Sequence, residues 1–190
     1  MLDRPNPLGG IKVEGNLVEE GFFSFVSQLK IPYVYGLTCG ELRYISIGVG
    51  YTLPFELFAA GWINAEVFAR ALNAERLPGI TFRPVHLKPY YSVGQGKNYQ
   101  GVQIYLTDFN KARLSDIQFH VMEVAARLYP DHKVFDHAPD NRFDMFDKVC
   151  GTDFIRKEFA RNHRFEDISA YWSKDEVPFR KLSKKYYLYR

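Results

Sequence analysis

Between residues 64 and 130 the apolar side chains change their period, and this restricts the fold more than any other feature of the chain. Asn64 stands where a helix N-cap belongs, with Glu66 in the first turn. Val67, Phe68, Ala71 and Leu72 then recur at i, i+1, i+4 and i+5 as an apolar helical stripe, which Leu77-Pro78-Gly79 stops. Ile80 to Leu87 reads as a strand, and Pro84, which has no N–H to give a ladder, puts it at a sheet edge. Val102, Ile104 and Leu106 alternate with Gln103, Tyr105 and Thr107, the period of two that marks a further strand. Ser115 or Asp116 caps another helix, whose buried stripe is Ile117, Val121, Val124 and Leu128 and which Pro130 closes. This order of elements predicts an α+β fold, a mixed or antiparallel sheet with helices packed on it.

The flanks are less regular. The first ten residues, with two prolines, an Asn-Pro and a Gly-Gly, are turn chemistry. Phe22 to Leu29 suits a short helix or a strand, Ile31 to Gly36 an extended segment, and Ile45 to Pro54 a β-rich stretch interrupted by Gly48 and Gly50. As a phosphate cradle that glycine pair is weak, because neither a third glycine nor a Gly-Lys-Ser/Thr follows. Toward the C-terminus, Phe143 to Asp153 leads into a helix carrying Phe154, Ile155 and Phe159. Shorter helices are expected over Phe165 to Trp172 and Asp175 to Leu182, and a strand over Tyr186 to Tyr189.

Composition removes several classes of function. With 46 % hydrophobic and 25 % charged residues in 190, the chain can build a core and is not of the disordered type. No run approaches the roughly 18 apolar residues of a membrane span. A net charge of +3 is too mild to indicate a nucleic-acid partner. The basic excess from Arg156 to Arg190 reads as a solvated helix end rather than a polyanion surface, so nucleic acid is not an expected partner. The N-terminus carries no apolar signal-peptide core, so the chain as encoded is expected in the cytoplasm.

Cys39 and Cys150 have neither zinc-site nor redox-pair spacing and read as small apolar residues. His132, Asp136, His137 and Asp140 share a polar loop, but their spacing matches no zinc or calcium motif; no metal and no cofactor is expected. There is no nucleophile elbow, P-loop, HExxH or Cys-His pair, which leaves carboxylate chemistry. Asp3, Glu14, Glu41, Glu56 and Asp108 all lie beside glycine, proline or turn residues, where a cap or surface ion pair is the simpler role for each. Aromatic residues reach 16 %, with 16 Phe, 13 Tyr and 2 Trp, more ring surface than a small core needs. Rings beside loops suit a sugar platform, and equally a protein interface.

Several segments, in order along the chain, carry a resemblance. They are Asp3-Arg4-Pro5-Asn6-Pro7-Leu8-Gly9-Gly10, Val13-Glu14-Gly15, Ile31-Pro32, Gly36-Leu37-Thr38-Cys39-Gly40-Glu41-Leu42, and Gly48 to Leu57. Gly61-Trp62-Ile63-Asn64, Leu77 to Pro84, Gly101-Val102-Gln103-Ile104, Phe146-Asp147-Lys148 with Gly151-Thr152, and Lys185 to Tyr189 continue it. Together they resemble the DUF1343 family, which includes exo-β-N-acetylmuramidases of the NamZ type. The resemblance implies a Rossmann-like catalytic domain followed by an auxiliary domain, and removal of N-acetylmuramic acid from the non-reducing ends of peptidoglycan fragments. It places the catalytic glutamate in a Glu-His-Gly motif, which occurs nowhere in this sequence. Gly40-Glu41-Leu42 is also followed almost directly by Ile45, where the family carries a long segment.

The expectation is therefore a truncated NamZ-like chain: residues 1–58 a remnant of the catalytic domain, residues 59–190 the auxiliary domain, and no competence alone. The alternative is a non-catalytic glycan-binding or protein-interaction module. Asp3, Arg4 and Asn6 are the candidate substrate contacts, Arg4 pairing with the lactyl carboxylate of muramic acid; a Pro-bracketed turn explains the same residues without a ligand. The expected partner is a peptidoglycan fragment or a muramic-acid-containing sugar. Relatives are usually exported to the cell envelope. Unmatched apolar residues Phe22, Phe23, Phe25 and Val26 are expected to drive association, with a second copy or with a missing N-terminal half.

Overall fold

In a computed structural model of the 190-residue chain, residues 12–24, 52–53, 56–90, 94–133, 135 and 140–184 are described below. They fall in two compact units, one of Leu37–Arg142 and the other of Met1–Gly36 with Phe143–Arg190.

Helix α1 (Ala65–Ala74) begins where the sequence places it. The Asn64 carboxamide oxygen accepts from the Val67 N–H at 3.0 Å, and Gln100 Oε1 takes the Ala65 N–H at 3.2 Å. Two of the otherwise orphaned first-turn donors are thereby satisfied. Its buried stripe is Ala65, Phe68, Ala69 and Leu72, a one-sided i, i+3, i+4, i+7 pattern. Val67, which the sequence reading put in that stripe, lies 46 % exposed, because its neighbour Phe68 is the residue turned to the sheet.

Three strands pair antiparallel in the order β1-β3-β2: β1 (Leu57–Ala60), β2 (Ile80–Leu87) and β3 (Tyr99–Leu106). The register sets Phe58 and Pro84 beside Val102, and Phe82 beside Ile104, on the face that receives α1. There the Phe58 and Phe68 rings meet at 5.8 Å. Leu57, Ala59 and Leu87, with Leu53, Val85 and Tyr99 against them, form an apolar cluster on the other face. The sequence alternation is real but does not translate into buried against exposed. Gln103 is buried and Leu106 is 48 % exposed, since the middle of β3 is covered on both faces and its end is not.

Strand β2 holds an edge, as Pro84 requires. Asn73 on α1 bonds that edge at both backbone groups of Phe82, donating to the carbonyl at 2.8 Å and accepting from the N–H at 2.9 Å. Two residues on, the missing N–H of Pro84 points to the same outer side, so no ladder bond is lost.

Helix α2 (Ile117–Leu128) packs on α1 and buries Ile117, Phe119, Val121, Met122, Val124, Ala125 and Ala126. Asp116 occupies the N-cap position without capping, because its carboxylate is taken by Arg113. A short 3-10 turn, Pro130–His132, follows.

The other unit gathers four helices: α3 (Asp140–Cys150, in this unit from Phe143), α4 (Phe154–Asn162), α5 (Glu166–Trp172) and α6 (Glu176–Ser183). Val13, Val18, Phe146, Cys150, Ile155, Phe159, Ile168 and Trp172 supply its core. Residues 12–24 run against these helices, held by backbone donors on carboxylates at the start of α6. Gly15 N–H reaches Glu176 Oε1 at 3.1 Å, and Leu17 N–H reaches Asp175 Oδ2 at 2.9 Å. Asn16 adds a bond from Nδ2 to the Cys150 carbonyl at 3.1 Å. Of the four apolar residues expected to be exposed, Phe23 is 45 % exposed and Phe22 half-buried; Phe25 and Val26 lie outside the described residues. No helix among the described residues is long and apolar enough to cross a membrane.

Candidate functional site

Most of the sequence candidates lie outside the described residues: Asp3, Arg4, Asn6, Cys39, Glu41, the Gly48/Gly50 pair, Asp136, His137 and the closing Tyr186 to Tyr189. The others divide sharply by environment. Glu14 is buried, with the Lys12 ammonium 3.6 Å away. Asp108 shapes a turn, accepting from the Asn110 N–H at 3.1 Å and pairing with Lys111 at 3.0 Å; the Lys111 bond is the main reason its carboxyl sits below the ordinary aspartate range. Cys150 is buried and unbridged, as its reading as an apolar residue requires.

Glu56, at the start of β1, is exposed and belongs to a polar row on the sheet. Register sets Leu57, Gln103 and Arg83 side by side across β1, β3 and β2. The Arg83 guanidinium donates through Nη2 to Gln103 Oε1 at 2.8 Å, and the Gln103 amide donates through Nε2 to Glu56 Oε2 at 3.2 Å. Gln103 is only 5 % exposed, so both ends of a buried amide are satisfied and its orientation is fixed. Arg83 lies exposed over the Tyr105 ring, 5.2 Å from its centroid. A cation, an anion and a ring on a rigid sheet suit recognition of a polar, partly apolar ligand such as a sugar.

At the opposite end of β1, Trp62 and His132 stack with ring centroids 4.7 Å apart and planes 6° from parallel. Tyr129 meets Trp62 edge-on at 5.1 Å and accepts the Asn64 N–H through its hydroxyl at 3.0 Å. Trp62 and Tyr129 are half-buried and His132 exposed, so ring surface reaches solvent here. His132, read as a loop residue with metal-ligand chemistry, is thus part of a ring cluster; the described residues hold no group suited to a metal.

In the helical unit a polar network surrounds Glu19, a residue the sequence does not single out. Its carboxylate accepts from Thr152 Oγ1 at 2.9 Å, from Lys174 Nζ at 3.1 Å and from the Tyr171 hydroxyl. Burial is the largest single influence and pushes its proton affinity up. The bonds from Tyr171, Lys174 and Thr152 together outweigh it and hold the group below its ordinary value of 4.5. A carboxyl whose affinity is depressed on folding adds stability above its unfolded value, and that stability fades as pH falls through the folded one. Denaturant titrations from neutral pH downward should therefore show a decline below about 4.5 that Glu19→Gln flattens. Parallel curves for the two proteins would refute the assignment. Through these three bonds Glu19 tethers residues 12–24 to the helices.

Sequence reasoning missed Arg83 and Gln103 as site residues. The strand alternation shows Gln103 and Tyr105 on one face, but only the register brings Arg83 to them.

The family model described as exo-β-N-acetylmuramidase NamZ, C-terminal, matches residues 33–189. The chain belongs to this family. Peptidoglycan β-N-acetylmuramidase NamZ of Bacillus subtilis (strain 168) is 29 % identical over 248 residues, which take in 100 % of this NamZ-family chain and 59 % of the relative. A crystal structure of a DUF1343 family protein from Bacteroides fragilis NCTC 9343 superposes with a TM-score of 0.95 at 46 % identity, covering 100 % of this chain and 65 % of that one. A second DUF1343 protein of the same strain, at 19 % identity and a TM-score of 0.62, shares the fold, with the same coverage of 100 % and 65 %. The chain thus spans about three fifths of the length of the curated NamZ relative.

Proposed function

We propose that this chain serves an exo-β-N-acetylmuramidase of the NamZ type, recognising the muramic-acid end of peptidoglycan fragments in the cell envelope, and that these residues alone do not turn substrate over. The match of the NamZ C-terminal family model to residues 33–189 carries the first half. The second half rests on the absence of Glu-His-Gly from the 190 residues. The alignment to the Bacillus subtilis relative runs over 248 residues, 58 more than the 190 here, in keeping with the short connection from Leu42 to Ile45.

In this reading residues 1–58 represent the catalytic side of such a protein and residues 59–190 the auxiliary side. Asp3, Arg4 and Asn6 contact the sugar, with Arg4 on the lactyl carboxylate. The solvent-reaching rings of Trp62, Tyr129 and His132 support a wall against which a pyranose face can rest. A binding module without turnover is the second reading, favoured by the same missing motif.

Purified chain incubated with a chromogenic muramide is expected to release no muramic acid while still sedimenting with insoluble peptidoglycan. Turnover that disappears on replacing Glu14, Glu41 or Glu56 overturns the catalytic half of the proposal, and failure to sediment overturns the recognition half.

A further inference from the structure

The polar row across the sheet has chemistry that caps, turns and core packing leave unused. Gln103 is a buried amide in the central strand, and an apolar residue would fill that place with no polar group to satisfy. Its carboxamide has one effect on its neighbours: Oε1 fixes one arm of the Arg83 fork at 2.8 Å, and Nε2 orients Glu56 at 3.2 Å. Arg83 and Glu56 form no direct ion pair among the described contacts, so neither charge neutralises the other through contact. Among the described residues Nη2 is the one Arg83 nitrogen with a hydrogen-bond partner, and the side chain is exposed. Tyr105, 39 % exposed, sets its ring centroid 5.2 Å from the guanidinium carbon, within cation–π range. A guanidinium held by an amide beside a ring, with further N–H groups that no described residue takes, can give a charge-assisted hydrogen bond to a carboxylate. The Glu56 acceptor nearby matches a hydroxyl or amide N–H.

We infer that Arg83, positioned by Gln103 and Tyr105, is a binding site for the carboxylate of a glycan or of a short peptide attached to it. The inference deepens the proposed function and rests on it for the choice of ligand. Two sources share this chemistry: the carboxylates of a peptide joined to the sugar through an amide, and the lactyl carboxylate itself, in which case Arg83 takes the place given above to Arg4.

The test is titration of the whole chain, followed by NMR or calorimetry, with N-acetylmuramic acid, its methyl ester, N-acetylglucosamine and an N-acetylmuramoyl dipeptide. The acid, the dipeptide conjugate or both should bind. For whichever binds, Arg83→Gln should weaken the complex about tenfold or more, the loss expected for a charge-assisted hydrogen bond. Esterification should weaken the monosaccharide to the same extent if the lactyl group is the source. Arg83 is exposed, so the variant keeps the fold, which an unchanged thermal transition verifies; Arg83→Lys should recover only part of the affinity. Binding that ignores Arg83→Gln but is lost with Arg4→Gln overturns this site and leaves the proposed function standing. Binding of N-acetylglucosamine as tight as that of the acid, or no binding of either carboxylate ligand, also overturns it.

Discussion

Gly101→Ala is expected to destroy the cooperative folding of the sheet unit. A Cβ at this position would stand 2.0 Å from the Phe58 carbonyl oxygen, 2.6 Å from the Ala59 Cα and 2.7 Å from its Cβ. Two of those three atoms are backbone of the neighbouring strand, paired in register with Gly101 opposite Ala59, so no rotamer change relieves the clash. Ordinary overpacking of a core costs about 1–3 kcal/mol because side chains can shift. Here β1 must move off β3, breaking the ladder and uncovering Phe58 and Ala59 together, and a loss beyond about 4 kcal/mol is the result. The chain's 2 tryptophans allow each unit to be read separately, Trp62 in one and Trp172 in the other. In a Trp172→Phe background, the Trp62 signal of Gly101→Ala should lose its sigmoidal urea transition. A transition of unchanged midpoint would show the strands are spaced more widely than this register requires.

The second large effect concerns Asp147 and Arg156. The guanidinium forks onto the carboxylate from α4 to α3, Nε to Oδ1 at 2.8 Å and Nη2 to Oδ2 at 2.7 Å, with the Phe143 ring 4.9 Å from the guanidinium carbon. The side chains are 20 % and 8 % exposed, arginine first. Burial is the dominant influence on Asp147 and pushes its carboxyl above the ordinary range, even against the pull of Arg156. Arg156→Leu strands that carboxylate and should cost about 3 kcal/mol or more in urea unfolding. Replacing both partners with apolar residues should cost clearly less than the single change, because no buried charge is then left behind. The sign of the pH dependence follows from burial. A carboxyl whose folded affinity exceeds the unfolded one binds more protons when folded, so stability falls as pH rises from about 3.8 through the folded value. Arg156→Leu should steepen that fall. If the single and double variants are equally stable, the pair carries no such role.

These two sites show what a sequence makes legible. Helices α1 and α2 and strands β2 and β3 carry punctuation and a sustained period, so Asn64, Pro84 and the 102–107 alternation identify them directly. Strand β1 has four residues, Leu57-Phe58-Ala59-Ala60, all buried, and so offers no alternation to read. Helix α3 was expected only as a lead-in to α4. Asp140, Asn141, Asp144 and Asp147 are weak helix formers, and the segment is held instead by tertiary contacts of Phe146, Cys150 and Asp147. The Arg83–Gln103 pair is 20 residues apart in sequence, and nothing local specifies that meeting. Glu19 is harder still, since its partners Thr152 and Tyr171 lie 133 and 152 residues away.

The Asn73 carboxamide closes part of the outer edge of β2. A free strand margin is a template on which a second polypeptide can be laid down. By occupying both main-chain groups of Phe82, a single side chain withdraws that rung, and proline two places on removes the next donor. Addition of a further strand to this margin is thereby hindered at two successive rungs, Phe82 and Pro84.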